Sequence, residues 1–367
     1  MSQIPENKTL RGVQCPNCGS PKVVFNIKKQ GLHCQHCDYT KVLVPQTDQI
    51  EEHPLHLDSR LMSRSEDIEI EVKVFHCDNC GSETSFPEDK VRISCPFCGS
   101  EKVNETATET RIIKPMGLIP FKITKEEALK QYKGFLTKGW FTPNNLVKYA
   151  KIKNLHGVYL PFWTFDAFTY SSWTAQSGDY YYETQYYTDA EGKRQSRRVR
   201  KIRWYHTSGK LDHFFDDVTV LASHGVPEDL MNIILPFHPE ELTNFDSQYL
   251  LGWETELYQK DVKDGFRRGD QIMDARIKSM CANDVPGDTH RFLRVDTHKE
   301  GLTFKHMLYP VWVAAYKYKD KSFQFLVNGQ TGEIAGRKPK SPWKIALASL
   351  FGLLLAGLIA YLFMQGS

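Results

Sequence analysis

Eight of the nine cysteines in this 367-residue chain fall into four Cys-x-x-Cys doublets. The doublets are Cys15/Cys18, Cys34/Cys37, Cys77/Cys80 and Cys95/Cys98. Such a doublet turns the backbone so that two thiolates point at one centre, and two doublets supply the four sulfurs that Zn²⁺ prefers in a tetrahedral site. The spacing therefore predicts two zinc ions, one for each successive pair of doublets. An alternative pairing, in which the first and third doublets share one metal ion, stays open.

Four thiolates complete the coordination of zinc and leave no position for a substrate or a reactive water. The two predicted sites are therefore structural rather than catalytic. His33, His36 and His76 neighbour the cysteines in the sequence, and we expect them to be surface or supporting groups rather than ligands. Metal binding supplies the folding energy of small modules of this kind, on the order of 10 kcal/mol for each site.

The segments around the doublets follow the plan of zinc ribbons, in which a β-hairpin connects two metal-binding turns. The first ribbon is predicted over residues 11–45, where Val23–Phe25 forms an apolar strand and Gly19 suits the positive φ that follows such a turn. Residues 68–110 repeat this plan and form the second predicted ribbon. The polar residues 46–67 between them are predicted to be a linker.

Composition and charge place the chain among globular proteins of a reducing compartment. A formal net charge of +3 is too small for this length to predict a dedicated nucleic-acid binder, so any basic site must be local. The start of the chain is polar and lacks the pattern of a secretory signal. Cys-x-x-Cys doublets at metal-binding spacing, rather than a disulfide framework, then predict a cytosolic location for the ribbons.

The C-terminal end has the composition of a transmembrane helix. Residues 345–364 carry no charge, and at about 1.5 Å per residue they reach roughly 30 Å, the thickness of a bilayer's hydrocarbon core. Residues 337–344 form a basic juxtamembrane segment, and Trp343 and Tyr361 lie near the two ends of the helix. The positive-inside rule then predicts a single-pass, tail-anchored protein whose bulk stays in the cytoplasm. The alternative is a buried core helix.

The motifs of the common enzyme classes are absent from the sequence. It contains no GxxxxGK[S/T] loop, no HExxH helix, no GxSxG elbow and no GxGxxG turn that opens a helix. The carboxylate pairs Asp216-Asp217 and Glu240-Glu241 have no histidine or cysteine constellation around them, which favours loop or capping roles. Cys281 lies outside the doublets and is expected to be a small buried apolar residue. We therefore expect no catalytic residues and identify no small-molecule substrate.

Residues 111–336 are predicted to form an α+β domain rich in strands. The capping-box pattern Thr124–Glu127 predicts the start of a helix that Gly139 ends. Apolar residues at helical spacing predict a second helix over Val262–Cys281, although two glycines weaken it. The predicted fold is thus two small β zinc ribbons, an α+β domain and one C-terminal transmembrane helix.

Two similar stretches within this domain predict neighbouring strands. Leu160–Trp163 and Tyr309–Trp312 each contain proline and tryptophan, and each leads into an aromatic run. We expect them to be equivalent strands of one sheet. The second continues into a β-meander with a tight turn at Asn328-Gly329, which brings the chain to the C-terminal helix.

An aromatic and basic segment between Asp179 and Trp204 predicts a long β-hairpin. Five tyrosines precede its turn and seven cations follow it: Lys193, Arg194, Arg197, Arg198, Arg200, Lys201 and Arg203. Three interpretations stay open. The tyrosines could stack on bases while the cations bind phosphates, the cations could contact anionic lipid, or the hairpin could be solvated, with arginines on tyrosines of the facing strand.

Several stretches together resemble a known family. They are two CPxCG-type ribbons, PFKIT-x-x-E-A at Pro120–Ala128, GVYLPFW at Gly157–Trp163, the later YPVW and NGQTG stretches, and a terminal membrane helix. Over nearly its whole length the chain is similar to bacterial membrane-anchored double zinc-ribbon proteins. These are often labelled general-transcription-factor-IIB-type zinc ribbons or primosomal-helicase-like proteins. The helicase label does not fit this chain, because a motor needs a phosphate-binding loop.

The resemblance implies a role in recruiting proteins at the bacterial inner (cytoplasmic) membrane. It implies partnership with SPFH scaffolds, which are of the stomatin and flotillin type, and with the phage-shock protein A system of envelope stress. The first hypothesis is therefore a non-enzymatic, tail-anchored adaptor whose ribbons bind a protein partner. The second hypothesis is a membrane-tethered nucleic-acid binder that uses the first ribbon and the cations of Lys193–Arg203.

Overall fold

The structure, a computed structural model, describes residues 14–46, 50–55, 69–72, 74–78, 82–85, 95–97, 100, 103–105, 110–149, 155–188, 190, 192–319 and 321–365. The strands are β1 (Val23–Asn26), β2 (Gly31–Cys34), β3 (Thr40–Val42), β4 (His53–Pro54), β5 (Glu69–Val72), β6 (Phe75–Cys77), β7 (Glu83–Ser85), β8 (Val103–Glu105), β9 (Thr110–Ile113), β10 (Gly117–Leu118), β11 (His156–Thr188), β12 (Arg194–Leu221), β13 (Thr243–Asn244), β14 (Glu254–Glu256), β15 (Thr289–Tyr318), β16 (Lys321–Asn328) and β17 (Ile334–Gly336). The helices are α1 (Lys125–Thr137), α2 (Leu146–Tyr149), α3 (Glu228–Ile234), α4 (Val262–Asp284) and α5 (Pro342–Gln365), with short 3₁₀ turns at Pro239–Glu241 and Ser247–Leu250. The fold is a β-rich domain with a few helices and one apolar C-terminal helix.

Three long antiparallel strands form the centre of the large sheet. β11 lies in the middle and pairs with β12 along one edge up to the hairpin turn, whereas β15 pairs along the other edge only as far as Gly178. The two proline- and tryptophan-containing stretches are direct neighbours, since Leu160 lies opposite Tyr309. The prediction that they belong to one sheet is confirmed, and they run antiparallel to each other.

Burial along β11 changes in three steps. Residues 158–167 are buried on both faces. On one face α1 and the first ribbon cover Tyr159 and α4 covers Trp163 to Ala167, whereas α3 covers the other face. Burial then alternates between residues 168 and 175, where α4 packs on one face only. This change matches the sequence, because a strand covered on both faces is almost continuously apolar and a half-covered strand alternates. Residues 181–188 are mostly exposed, and with the facing part of β12 they form a projecting two-stranded arm.

Both predicted helices of this domain are present. Thr124 caps α1 in a full capping box, in which its hydroxyl accepts from the N–H of Glu127 and the Glu127 carboxylate accepts from the N–H of Thr124. The glycines of α4 have a packing role, because this helix lies close to β11. A Cβ added at Gly265 would lie 2.5 Å from Cδ1 of Trp163, so a larger residue would clash with the indole.

The first ribbon is joined to the domain by packing and backbone bonds. β1, β2 and β3 form its antiparallel sheet. The N–H of Phe25 donates to the carbonyl of Leu251 at 2.9 Å, and Trp253 Nε1 donates to the carbonyl of Phe25 at 3.3 Å. The Gln30 side chain donates to the carbonyl of Phe121 at 2.9 Å. The ribbon therefore shares its apolar core with the domain.

The described part of the second ribbon extends the large sheet. β6 pairs with β7 and β8, and β7 pairs with β14, which in turn pairs with β11. The predicted linker over residues 46–67 needs a correction for its described residues. β4 pairs with β15 at Thr303 and Phe304, and Leu55 is buried in the core beneath α4. A two-residue strand is too short to leave an alternating pattern that a sequence could reveal.

The C-terminal helix α5 is long and apolar enough to cross a membrane. The stretch Pro342–Ile359 has a mean hydropathy of 1.8, and none of it is buried within the protein. The alternative of a buried core helix is therefore excluded for these residues. α5 begins beside Tyr318, at the end of β15 that lies opposite the arm.

Candidate metal centre and basic arm

The structure brings the cysteines of the first two doublets together. The Sγ atoms of Cys15, Cys18, Cys34 and Cys37 all lie within 4.8 Å of one another. The distances are 3.6 Å between the sulfurs of Cys15 and Cys37 and 3.7 Å between those of Cys18 and Cys34. Four sulfurs in this arrangement could hold one metal ion. The alternative in which the first and third doublets share a metal is wrong.

The same backbone turn positions both doublets of this centre. The N–H of Cys15 donates to the carbonyl of Ser20, and the N–H of Cys34 donates to that of Tyr39, each at 2.9 Å. The turn requires a left-handed residue four positions after its first cysteine. Gly19 adopts this conformation with a φ of 71°, as the sequence predicts, and Asp38 adopts it with a φ of 60°. Aspartate is one of the few residue types other than glycine that visits this region readily.

Hydrogen bonds favour the thiolate form of one cysteine of the centre. The side-chain amide of Asn17 lies 3.5 Å from the sulfur of Cys37. This contact and the backbone N–H of Tyr39 lower the pKa of Cys37 to about 6. A thiol must lose its proton before it binds a metal ion, so donors that stabilise the thiolate favour metal binding near neutral pH.

The neighbouring histidines are engaged outside the sulfur cluster, as expected. Nδ1 of His33 lies 3.2 Å from Nζ of Lys29, and Nε2 of His33 lies 3.6 Å from a carboxylate oxygen of Asp38. His36 is exposed, and His76 lies 3.8 Å from the Glu83 carboxylate. The cluster is therefore formed by cysteine sulfurs.

The second cysteine set is described only in part. Cys80 and Cys98 lie outside the described residues, whereas Cys77 and Cys95 are both buried. The N–H of Cys77 donates to the carbonyl of Ser82 at 3.0 Å, and that of Cys95 donates to Ser100 at 2.8 Å. These bonds join each cysteine to the residue five positions later, as in the first ribbon. Cys77 and Cys95 thus repeat the backbone bonds that Cys15 and Cys34 make in the first ribbon.

Cys281 lies apart from these clusters, on the buried face of α4. Its side chain is fully buried, and burial raises the pKa of its thiol. A buried thiol of raised pKa is a poor nucleophile. The expectation of a small buried apolar residue is therefore confirmed.

The arm has the predicted hairpin form, with each tyrosine paired to an arginine on the facing strand. Arg198 lies over the ring of Tyr182 at 5.0 Å, and Arg200 lies over that of Tyr180 at 4.3 Å. Each arginine is the diagonal rather than the direct partner of its tyrosine, since Tyr182 is directly opposite Arg200. The other pairs are Arg194 with Tyr186, Arg197 with Tyr187 and Arg203 with Tyr181. Arginines therefore pack on cross-strand tyrosines, the geometry of the third interpretation.

The two faces of the arm differ in charge. One face carries Arg194, Arg198 and Arg200 with no acidic residue between Tyr180 and Thr188, as the strand register shows. The other face carries Arg197, Lys201 and Arg203, and Lys201 forms an ion pair with Glu183. We call the first of these the arginine face. Among the described residues, no carboxylate forms an ion pair with the three arginines of this face.

The arm and the metal centre lie at different ends of the long sheet. The first ribbon contacts Phe121, whose ring packs on Tyr159 and Trp312 near the start of β11. The arm begins beyond Gly178. At about 3.3 Å per residue, roughly 60 Å of strand separates the two regions.

A cluster of charges around the buried Lys305 and Asp166 was missed by the sequence reasoning. Lys305 Nζ lies 2.7 Å from the carboxylate of Asp217, 3.0 Å from that of Glu52 and 3.4 Å from that of Asp166. Asp166 also accepts from the N–H of Asp217 at 2.6 Å, where the strand register is irregular. Asp166 and Lys305 each interrupt an apolar strand pattern, and that interruption was the available signal.

Lys305 supplies one positive charge against the three carboxylates of this cluster. Burial raises the pKa of Asp166 to about 6, although the N–H of Asp217 and the Lys305 ammonium oppose that rise. Asp166, Asp216 and Asp217 are close enough to hold a cation. The ammonium of Lys305 already lies beside Asp166 and Asp217, so it provides a positive charge where a metal ion would bring one.

Comparisons with known proteins identify one similar chain and no function. No protein-family model and no solved structure matches this protein. It is similar to the uncharacterized protein YdjG of Bacillus subtilis (strain 168), with 28% identity over 321 residues. The alignment covers 74% of this chain and 92% of YdjG. The similarity therefore extends over most of both proteins.

Proposed function

We propose that the protein is a non-enzymatic, tail-anchored adaptor that recruits a protein partner to the cytoplasmic face of the bacterial inner membrane. The observation that carries this proposal is the position of the four-sulfur centre, which closes a ribbon that shares its apolar core with Tyr318, the residue beside the start of the apolar helix α5. By the family resemblance, the proposed partner is an SPFH-type scaffold in an envelope-stress system. The basic segment 337–344 supports a topology with the bulk of the chain in the cytoplasm.

Zinc is the metal proposed for the first centre. Zn–S bonds of about 2.3 Å in a tetrahedron place the sulfurs about 3.8 Å apart. The distances of 3.6 and 3.7 Å between the sulfurs of Cys15 and Cys37 and of Cys18 and Cys34 fit this geometry. A second zinc ion held by Cys77, Cys80, Cys95 and Cys98 is proposed from their spacing and from the repeated backbone bonds. Both ions stabilise the ribbons and leave no open coordination position.

The outer strand of the first ribbon is the proposed docking surface. β3 is an edge strand, because the ribbon sheet has the order β1-β2-β3. Val42 ends β3 and is 64% exposed, and Val44, two residues beyond the strand, is 80% exposed, whereas Leu43 between them is buried. Exposed valines on an edge strand can pair with a strand of another protein. The Cys34–Cys37 centre fixes the turn that precedes this strand.

Co-purification from native membranes tests the adaptor. The full-length chain is extracted in mild detergent, and the Val42→Glu/Val44→Glu double variant is compared with Ile233→Glu, which makes the same type of change at an exposed position of α3. We expect an SPFH-type scaffold to be recovered with the wild type and with Ile233→Glu, but not with the double variant. Metal content shows that the centre is intact in each. Equal recovery by all three proteins contradicts docking through the ribbon.

A membrane-tethered nucleic-acid binder is the second candidate, and the arginine face favours it. Exposed tyrosines beside the three arginines of this face could stack on bases while the arginines bind phosphates. The first ribbon lies roughly 60 Å of strand away, so a short oligonucleotide would contact the arm alone. This candidate therefore depends on Arg194, Arg198 and Arg200 and not on the ribbon.

Binding of a single-stranded oligonucleotide to the full chain in detergent tests this candidate. Arg198→Gln/Arg200→Gln should weaken binding and reduce the dependence of log K on log salt by about 0.7 for each phosphate that the variant no longer neutralises. Arg276→Gln/Lys278→Gln on α4 removes the same charge from an exposed helix and should not change the slope. The absence of binding at low salt would exclude the candidate.

A further inference from the structure

Hydrogen bonds join the start of α5 to the loop between α1 and α2. The N–H of Ser341 donates to the carbonyl of Phe141 at 2.7 Å. Lys344 Nζ donates to the carbonyl of Thr142 at 2.8 Å and to the side-chain oxygen of Asn144 at 2.6 Å. These bonds hold residues 139–145, which we call the anchor loop, level with the first turn of α5. Any depth that α5 takes in a bilayer therefore determines the depth of the anchor loop.

The anchor loop exposes large aromatic side chains beside this point. Trp140 is 83% exposed, Phe141 is also exposed, and Trp343 in the first turn of α5 is 75% exposed. Large apolar side chains gain free energy when they leave water, and indole rings are enriched at the level of lipid headgroups. Three exposed aromatic residues around the start of an apolar helix therefore match the interface of the bilayer that this helix would enter.

A basic cleft opens next to these aromatic side chains. It encloses about 460 Å³, and the lysines that line it are Lys319, Lys340 and Lys344. Among the lining residues that the structure describes, none carries a carboxylate. Asp320, next to Lys319 in the sequence, lies outside the described residues. Lys344 is engaged with the anchor loop, whereas Lys319 and Lys340 are exposed and can meet an anion. Trp343 forms part of the wall, so the cleft is continuous with the apolar surface of α5.

We infer that the anchor loop and this cleft form a lipid-docking surface, in which Trp140 and Phe141 enter the bilayer interface and Lys319 and Lys340 bind the phosphate of an anionic phospholipid. The inference rests on the membrane anchoring in the proposed function. The occupant is a lipid of the bilayer that α5 spans, because the cleft is continuous with this helix and its charge complements a headgroup phosphate. The surface would fix the orientation of the long sheet relative to the membrane.

Quenching by brominated lipid tests the aromatic part of the surface. Tryptophan fluorescence of the full chain is measured in nanodiscs whose lipids carry bromine near the headgroup. Trp140→Phe and Trp343→Phe should each reduce the quenched fraction, whereas Trp204→Phe, at the base of the arm, should not. If only Trp343→Phe reduces quenching, the helix is inserted and the docking surface is wrong. If neither variant reduces quenching, α5 is not anchored in the bilayer, and both the proposed anchoring and the lipid-docking surface are wrong.

Retention of lipid tests the cleft. The chain is extracted from vesicles that contain equal amounts of phosphatidylglycerol and phosphatidylcholine, and bound lipid is identified by native mass spectrometry. We expect the wild type to retain phosphatidylglycerol, with a preference that falls on the order of five-fold for each lysine replaced in Lys319→Gln/Lys340→Gln. Lys210→Gln/Lys278→Gln, distant from the cleft, is the control of equal charge. An unchanged preference in the cleft variant, or equal losses in both, would refute the lipid site.

Discussion

Replacing the buried Lys305 by methionine is expected to destabilise the protein strongly, and more at high pH than at low pH. In the wild type its ammonium lies 2.7 Å from Asp217, 3.0 Å from Glu52 and 3.4 Å from Asp166. Methionine has a similar length and no charge. The variant therefore keeps the packing of the stem but leaves the carboxylates without their cation.

The magnitude follows from how far each carboxylate is removed from water. Removing one partner of a buried ion pair costs about 3–5 kcal/mol. The side chain of Asp166 is only 3% exposed, whereas those of Asp217 and Glu52 are 28% and 41% exposed and can regain water. The cost of leaving the Asp166 carboxylate buried without its cation then dominates. We therefore expect the free energy of unfolding to fall by about 3 kcal/mol at pH 8. Glu52→Gln removes only an exposed partner and should cost at most about 1 kcal/mol.

The pH dependence has a definite sign. Burial raises the pKa of Asp166 to about 6 in the folded protein, above its unfolded value of about 4. Between about pH 4 and pH 6 the folded state therefore binds more protons at Asp166 than the unfolded state does. The contribution of Asp166 to stability falls as the pH rises through this range. Without Lys305 the carboxyl loses a stabilising cation, and its pKa rises further. The penalty of Lys305→Met should thus be full at pH 8 and smaller at pH 5, where Asp166 is protonated.

Urea unfolding of the full chain in detergent micelles, followed by tryptophan fluorescence, measures this effect. Each variant is compared with the wild type at the same pH, so that common effects of pH on the metal centres cancel. The double variant Lys305→Met/Asp166→Asn removes both buried charges and should recover most of the loss. The reasoning is refuted if Lys305→Met costs no more than Glu52→Gln, or if its cost is equal at pH 5 and pH 8.

Three further predictions concern the helices, the metal centre and the arm. Gly265→Ala should destabilise the protein, because the added Cβ would lie 2.5 Å from an indole carbon. At Gly134 nothing lies within 4 Å of an added Cβ, so Gly134→Ala should stabilise α1 by about 0.5–1 kcal/mol. Thermal unfolding measures both effects. Cys37→Ser should remove one zinc equivalent per chain, as measured by elemental mass spectrometry, whereas Cys281→Ala should leave the zinc content unchanged; equal zinc in both variants contradicts the first centre. Replacing residues 182–200 by Asn-Gly should shorten the arm with no change in melting temperature, because these residues are mostly exposed; a lower melting temperature would mean that the arm supports the core.

The features that sequence reasoning recovered depend on residues close together in the chain. The spacing of Cys15 to Cys37 was sufficient for the first metal centre, because two short turns and a hairpin bring the four sulfurs together. The capping box at Thr124 and the hairpin of the arm are local patterns as well. Each of them is fixed by contacts within a few residues or across one turn.

The features that sequence reasoning missed join distant segments. Glu52, Asp166 and Lys305 come from three parts of the chain, and nothing local indicates that one ammonium meets three carboxylates. The strand His53–Pro54 exists because β15 offers an edge, since its own residues have little strand propensity. Gly265 was interpreted as a weakness of α4, although it allows the helix to approach Trp163.

The arrangement of the sheet has a consequence for the adaptor. β15 runs from the base of the arm at Thr289 to the start of α5 beside Tyr318, a path of roughly 90 Å at about 3.3 Å per residue. The first ribbon lies near the α5 end and shares its core with the domain, so it cannot swing on the segment 46–67 toward a distant partner. Under the proposed function, a partner of the ribbon would therefore have to come close to the bilayer. A partner of the arginine face would be held at the far end of the sheet, and the two binding events would share no surface.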